Sequence, residues 1–136
     1  MGTSTDGILC FGVRFENEDG GDVSKLPWME YNEDGDREEP EEWWLQQTGF
    51  QGGDYTARQA WLKAHPMPFE WVTHCSYEYP MYILAVPGTH KHNSRGYPEK
   101  ITSLGVEPDI LEAYLEFLKK LGITEQPEWW LASVCG

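Results

Sequence analysis

Between residues 7 and 15 the apolar side chains fall into two interleaved sets. Leu9, Phe11, Val13 and Phe15 share one face, while Ile8, Cys10, Gly12 and Arg14 share the other. That period of two predicts a strand with at least one buried face. The same alternation returns in Phe69, Trp71, Thr73 and Cys75 against Glu70, Val72 and His74. Met81 to Val86 is a continuous apolar run bounded by Pro80 and by Pro87-Gly88, the pattern of a buried central strand. The connector Ser76 to Tyr79 closes a hairpin between these two. Trp129 to Val134 predicts a last strand, and Gly88 to Pro98 a polar loop.

Helical signals alternate with these in no regular order. Pro40 to Thr48 has proline in its first turn, Glu41 and Glu42 beside the positive end of the helix dipole, and Gly49 as a stop. Asp54 caps a second helix through Ala57, Ala60, Trp61 and Ala64, stopped by His65-Pro66. The clearest helix opens at Pro108, carries an apolar stripe of Ile110, Leu111, Tyr114, Leu115, Leu118 and Leu121, and ends at Gly122. The expected fold class is therefore α+β, a single compact domain over residues 1–136. It has roughly four mainly antiparallel strands and about three helices, with a long acidic loop at 16–39 within it.

Length and composition sharpen this picture. A chain of 136 residues with 14% aromatic residues and seven tryptophans has the material for a core, so it is not disordered throughout. Its formal net charge is −13, which disfavours direct binding to nucleic acid, because grip on phosphates comes from cations. Most of that charge is local. Residues 16–42 hold twelve acids against Lys25 and Arg37, and Leu26-Pro27-Trp28-Met29 interrupts them, as if Trp28 pinned the loop's middle to the body. No run approaches the roughly 20 apolar residues of a membrane helix, and no secretory leader opens the sequence. Cys10, Cys75 and Cys135, odd in number and scattered, read as free thiols in a reducing cytosol.

Candidate chemistry is sparse. Glu30, Asn32, Asp34, Asp36, Glu38 and Glu41, with Gly35 at the turn position, fall near the offsets of a calcium loop. Glu at the first ligand position, Arg37 where an apolar residue is usual, and Pro40 before the last ligand argue against it. The four histidines, His65, His74, His90 and His92, lack the spacing of a zinc site. His90, Lys91, His92 and Arg95 form the one basic cluster. No phosphate-binding glycine loop, dinucleotide fingerprint or nucleophile elbow is present, so no metal, cofactor or catalytic residue is assigned. The tetrapeptide Glu-Trp-Trp-Leu occurs at 42–45 and again at 128–131, too short an echo for a repeat architecture.

Several blocks carry a family likeness. They are Met1-Gly2-Thr3-Ser4-Thr5-Asp6-Gly7-Ile8-Leu9-Cys10-Phe11-Gly12-Val13, Trp43-Trp44-Leu45, Ala64-His65-Pro66-Met67-Pro68, Tyr79-Pro80-Met81-Tyr82-Ile83-Leu84-Ala85-Val86-Pro87-Gly88-Thr89, Ser94-Arg95-Gly96-Tyr97-Pro98 and Trp129-Trp130-Leu131. Through them the chain resembles a family of small, acidic, uncharacterised bacteriophage-encoded proteins. Residues 16–39 match that family poorly. The resemblance implies a phage accessory protein in the cytoplasm of a bacterial host, of the kind that blocks CRISPR or other defences.

Two functional expectations follow. In the first, a non-enzymatic inhibitor uses Trp28, Glu30, Glu33, Asp34, Asp36, Glu38 and Glu39 to occupy the basic surface of a host nucleic-acid-handling protein. In the second, a small enzyme or ligand-binding domain uses a polar pocket near the first strand and the 88–98 loop, built from Thr3, Ser4, Asp6, His90, His92 and Arg95. Neither expectation fixes an oligomeric state.

Overall fold

The computed structural model describes residues 5–15, 23–29, 38–76, 78 and 80–135. Along the chain come β1 (Thr5–Phe15), two 3-10 turns (Val23–Lys25 and Pro27–Met29), α1 (Pro40–Thr48), α2 (Tyr55–Ala64), β2 (Glu70–Ser76), β3 (Pro80–Ala85), β4 (Lys91–Asn93), α3 (Pro108–Leu121) and β5 (Glu128–Cys135). The class is α+β, with five strands where four were expected. The added strand, β4, lies inside the 88–98 segment that reads as a polar loop. The chain groups into two compact units, Met1–Asp22 with Pro68–Gly136, and Val23–Met67.

In the first unit the strands close on themselves. β1 runs antiparallel to β5 from Thr5↔Cys135 to Gly12↔Glu128. On its other edge β1 pairs with β4 at Gly7 to Leu9 and with β3 at Gly12 to Phe15. β3 makes a hairpin with β2, and β2 meets β5 in parallel at Cys75↔Val134 and Ser76↔Cys135. The pairings β1–β3–β2–β5–β1 therefore form a ring. Ring closure removes sheet edges, which otherwise expose unpaired backbone groups.

Inside the ring sit Ile8, Cys10, Val72, Ile83 and Ala85, with Trp130, Ala132 and Val134 packed against them. Both faces of β1 contribute to burial, as its two apolar sets predict: Ile8 and Cys10 on one, Val13 and Phe15 on the other. Trp130 donates its indole N–H to the Gly12 carbonyl at 2.9 Å, and the Arg14 guanidinium lies 4.7 Å from the centre of its ring. Cys75, at the parallel closure, has φ of 75°, a left-handed backbone that costs a non-glycine residue about 1 kcal/mol.

β3 and β4 are two parts of one broken edge, with the register on β1 slipping by three residues between them. The slip would orphan backbone groups of Phe11, and the intervening turn satisfies them. Val86 N–H donates to the Phe11 carbonyl at 2.8 Å. Phe11 N–H donates to the Thr89 hydroxyl at 3.2 Å, and that hydroxyl donates to the Val86 carbonyl at 2.7 Å. Thr89 is buried, and its hydroxyl satisfies these backbone groups.

α3 forms as its caps and stripe predict, with Gly122 left-handed at φ of 75°. Its buried residues are Tyr114, Phe117 and Leu118, whereas Leu115, expected in the stripe, is 41% exposed. The helix is therefore turned toward Phe117, whose ring stacks on Phe69 at 4.8 Å. Tyr114 donates its hydroxyl to the Leu84 carbonyl at 2.6 Å, and burial holds its phenol well above the ordinary range.

Gly12 marks the tightest approach in the ring. A Cβ there would meet the Leu84 carbonyl oxygen and lie 2.7 Å from Ala85 Cα, both rigid backbone. Gly12→Ala must push β1 from β3, so chemical denaturation should show a loss of roughly 3 kcal/mol. A stability equal to that of the native sequence would mean that β1 and β3 are not locked at this crossing.

Candidate functional site

The acidic stretch is tied down at both described ends within the second unit. Pro27–Met29 forms a 3-10 turn that buries Trp28 to 1% exposure, and its ring packs on Trp43 of α1 at 5.3 Å between centroids. The chain is next described at Glu38 and Glu39. Glu39 takes the N-cap position of α1 with extended backbone, and Pro40 follows in the first turn. Glu38 is half-buried and Glu39 exposed. Glu30, Glu33, Asp34 and Asp36 lie outside the described residues, as do Thr3 and Ser4.

This corrects one expectation. Trp28 does not face a partner: at 1% exposure it has no surface to offer, and it serves as the tether that fixes one flank of the acidic run. The other half of its sequence reading, a pin to the body, agrees with the packing on Trp43.

The first turn of α1 uses its own acids internally. Arg58 of α2 reaches Glu41 Oε2 and Glu42 Oε1, each at 2.5 Å. These bonds, Glu41's first, raise the guanidinium's pKa above its ordinary value. Glu41 is also the carboxylate that would close the calcium loop, so that ligand position is held by Arg58. Asp54 caps α2 by accepting from Ala57 N–H at 2.9 Å. Aromatic contacts complete the unit. Trp61 stacks on His65 at 4.1 Å and donates to Thr48 at 2.8 Å, while Trp44 donates to the His65 carbonyl at 2.8 Å. No residue of α2 is buried, so directional bonds and ring contacts do what an apolar core does elsewhere.

The polar alternative is partly assembled in the first unit. Asp6 accepts from Arg95 N–H at 3.2 Å through Oδ1, and its Oδ2 lies 3.1 Å from His92 Nε2. His90 does not join them. Its Nδ1 pairs with Glu70 at 3.1 Å, and its enclosed Nε2 has no hydrogen-bond partner among the described residues. Lys91 lies 3.9 Å from Glu99. The basic cluster of the sequence is thus divided, with His90, Lys91 and His92 each facing its own carboxylate. Glu70 and Thr89 were missed as structural partners, and neither sits in a spacing that would have flagged it.

Catalytic options narrow further. Cys10 is fully buried, and that burial, with Glu70 adding repulsion, pushes its thiol up to about 11. A thiol kept protonated is a poor nucleophile. A shallow cavity of about 310 Å³ lies at the C-terminal end of α3, lined by Leu115, Leu118, Lys119 and Ile123 among others, and includes none of the polar cluster. Among the described residues no group of three or more His, Cys, Asp or Glu is placed to hold a metal ion, and no helix is long and apolar enough to cross a membrane. Neither a family model, nor a curated protein, nor a solved structure matches the chain.

Two measurements check this electrostatic account. Removing the shared cation with Arg58→Ala should lower stability by about 1 kcal/mol, and the loss should shrink in high salt as screening rises. For Cys10, the unfolded thiol ionises near 9.0 while the folded one stays protonated to about 11. The folded state then binds more protons, so stability is intact below the unfolded value and falls as pH rises from 9 to 11, by about 2 to 3 kcal/mol in all. Urea titrations of Cys10→Ala across that window should show a flatter decline; equal slopes would clear Cys10 of the effect.

Proposed function

We propose that this protein is a non-enzymatic binder that occupies the basic surface of another protein, with its acidic stretch as the electrostatic face. The observation that carries the reading is the tether: Trp28 packed on Trp43 at one flank and the α1 N-terminus at the other. A dense run of carboxylates held between two anchors presents its charge from a defined place and loses less chain entropy on binding than a free tail. Glu30, Glu33, Asp34, Asp36, Glu38 and Glu39 supply the field. The partner's complementary surface is of the kind that handles nucleic acid, since a row of carboxylates competes with phosphates for the same cations. Together with the likeness to phage accessory proteins, this favours an inhibitor of a host defence protein, of the anti-CRISPR or related type, acting in the bacterial cytoplasm.

The polar cluster supports a ligand or enzymatic role less well. Asp6 already has both oxygens engaged, and His90 is turned to Glu70.

The test is capture of partners from lysate of the bacterial host, washed at low and then high salt. One stoichiometric basic partner is expected, released as salt rises. Changing the six acids to their amides should weaken the isolated complex about 100-fold, summing modest contributions from several exposed pairs. A complex indifferent to salt and to those changes would remove the acidic stretch from the mechanism.

A further inference from the structure

Where α1 meets α2, one guanidinium is shared between two carboxylates. The terminal nitrogens of Arg58 reach different acids, Nη2 to Glu41 Oε2 and Nη1 to Glu42 Oε1, each at 2.5 Å. A planar guanidinium spans such a pair with its fork of donors, whereas an ammonium is a point charge on a single nitrogen. Glu41 and Glu42 stand in the first turn of α1, where the positive end of the helix dipole favours negative charge.

This seat is open to solvent and lightly held. The Glu41 and Glu42 side chains are 44% and 46% exposed, and that of Arg58 is 28% exposed. Ion pairs so exposed contribute little to a fold, and α2 has no buried residue that would fix Arg58 in place. The seat also follows Glu38, Glu39 and Pro40 directly, so it continues the acidic stretch at its described flank. A cationic surface drawn to that flank meets two carboxylates that an internal cation already holds.

We propose that Glu41 and Glu42 form a guanidinium seat, occupied by Arg58 in the free chain and yielded to an arginine of the partner. The inference rests on the reading of the protein as a binder of basic surfaces, and it narrows the partner's chemistry to arginine. Arg58 is then a built-in competitor. Exchange of one guanidinium for another is nearly even, while exchange for a lysine loses the two-carboxylate fit. The contact therefore selects among basic surfaces more than it adds affinity.

Calorimetric titration of the full chain with oligoarginine and oligolysine peptides of equal length, at low salt, reads this competition. Arg58→Gln should tighten oligoarginine about fivefold more than Lys63→Gln does, and oligolysine by a smaller excess. Lys63, exposed in the last turn of α2, gives the same change in net charge away from the seat. In the native chain, the Arg58 guanidinium resonances should move toward those of free arginine as oligoarginine saturates. That second readout holds even if Arg58→Gln does not fold. Equal effects of Arg58→Gln and Lys63→Gln, an excess as large for oligolysine, or Arg58 resonances unmoved at saturation overturn the proposal. The two readings fail separately, because amides at Glu30, Glu33, Asp34, Asp36, Glu38 and Glu39 leave Arg58, Glu41 and Glu42 intact and report on the acidic stretch alone.

Discussion

Everything in the first unit depends on β1 being paired along both edges. A single strand holds β5 on one side and the broken β3–β4 edge on the other, so its backbone sets the register of three neighbours at once. That arrangement explains the glycine at position 12, where β1 and β3 come too close for a side chain. It also explains the buried threonine, whose hydroxyl supplies the bonds that the slipped register leaves unmade. With β1 fixed, the hairpin of β2 and β3 swings round to meet β5, and the interior closes over Cys10.

The second unit solves a different problem with different means. None of its α2 side chains is fully buried, so rings and charge pairs help to hold the helices together. Arg58 bridging Glu41 and Glu42 does two things at once. It joins α1 to α2, and it pairs with two of the twelve acids of residues 16–42, the two that follow Pro40.

Local pattern made much of this legible. The four long strands and three helices appear where alternation, caps and proline put them, because each signal depends on near neighbours. What was hidden depends on distant ones. β4 consists of Lys91, His92 and Asn93, which carry no apolar alternation and become a strand only because β1 offers an edge. The basic cluster looked like one patch because Asp6, Glu70 and Glu99, which divide it, are remote in sequence or unremarkable in spacing. The Leu115 to Phe117 exchange in α3 reflects the ring of Phe69, a partner no helical wheel can name. Of the acidic site, composition gave the charge but not the role of Trp28, since a tryptophan in a polar run reads equally as an anchor for a partner or for the fold.

The pairing of Gly12 with Glu128 also has a kinetic side. Contacts this far apart in sequence form late, because the intervening chain loses conformational freedom before the first bond returns any. The Val23–Met67 unit is contiguous and its helices are joined by a short connection, so it has only local contacts to find. Its early collapse shortens the effective length of the loop that β1 must close with β2 and β3. The ring is then completed last, by β5, and until that strand arrives the faces carrying Ile8, Cys10, Val72 and Ile83 stand open to water. The topology thus favours one order of assembly: the contiguous helical segment first, a hairpin on β1 next, and the seal at the end.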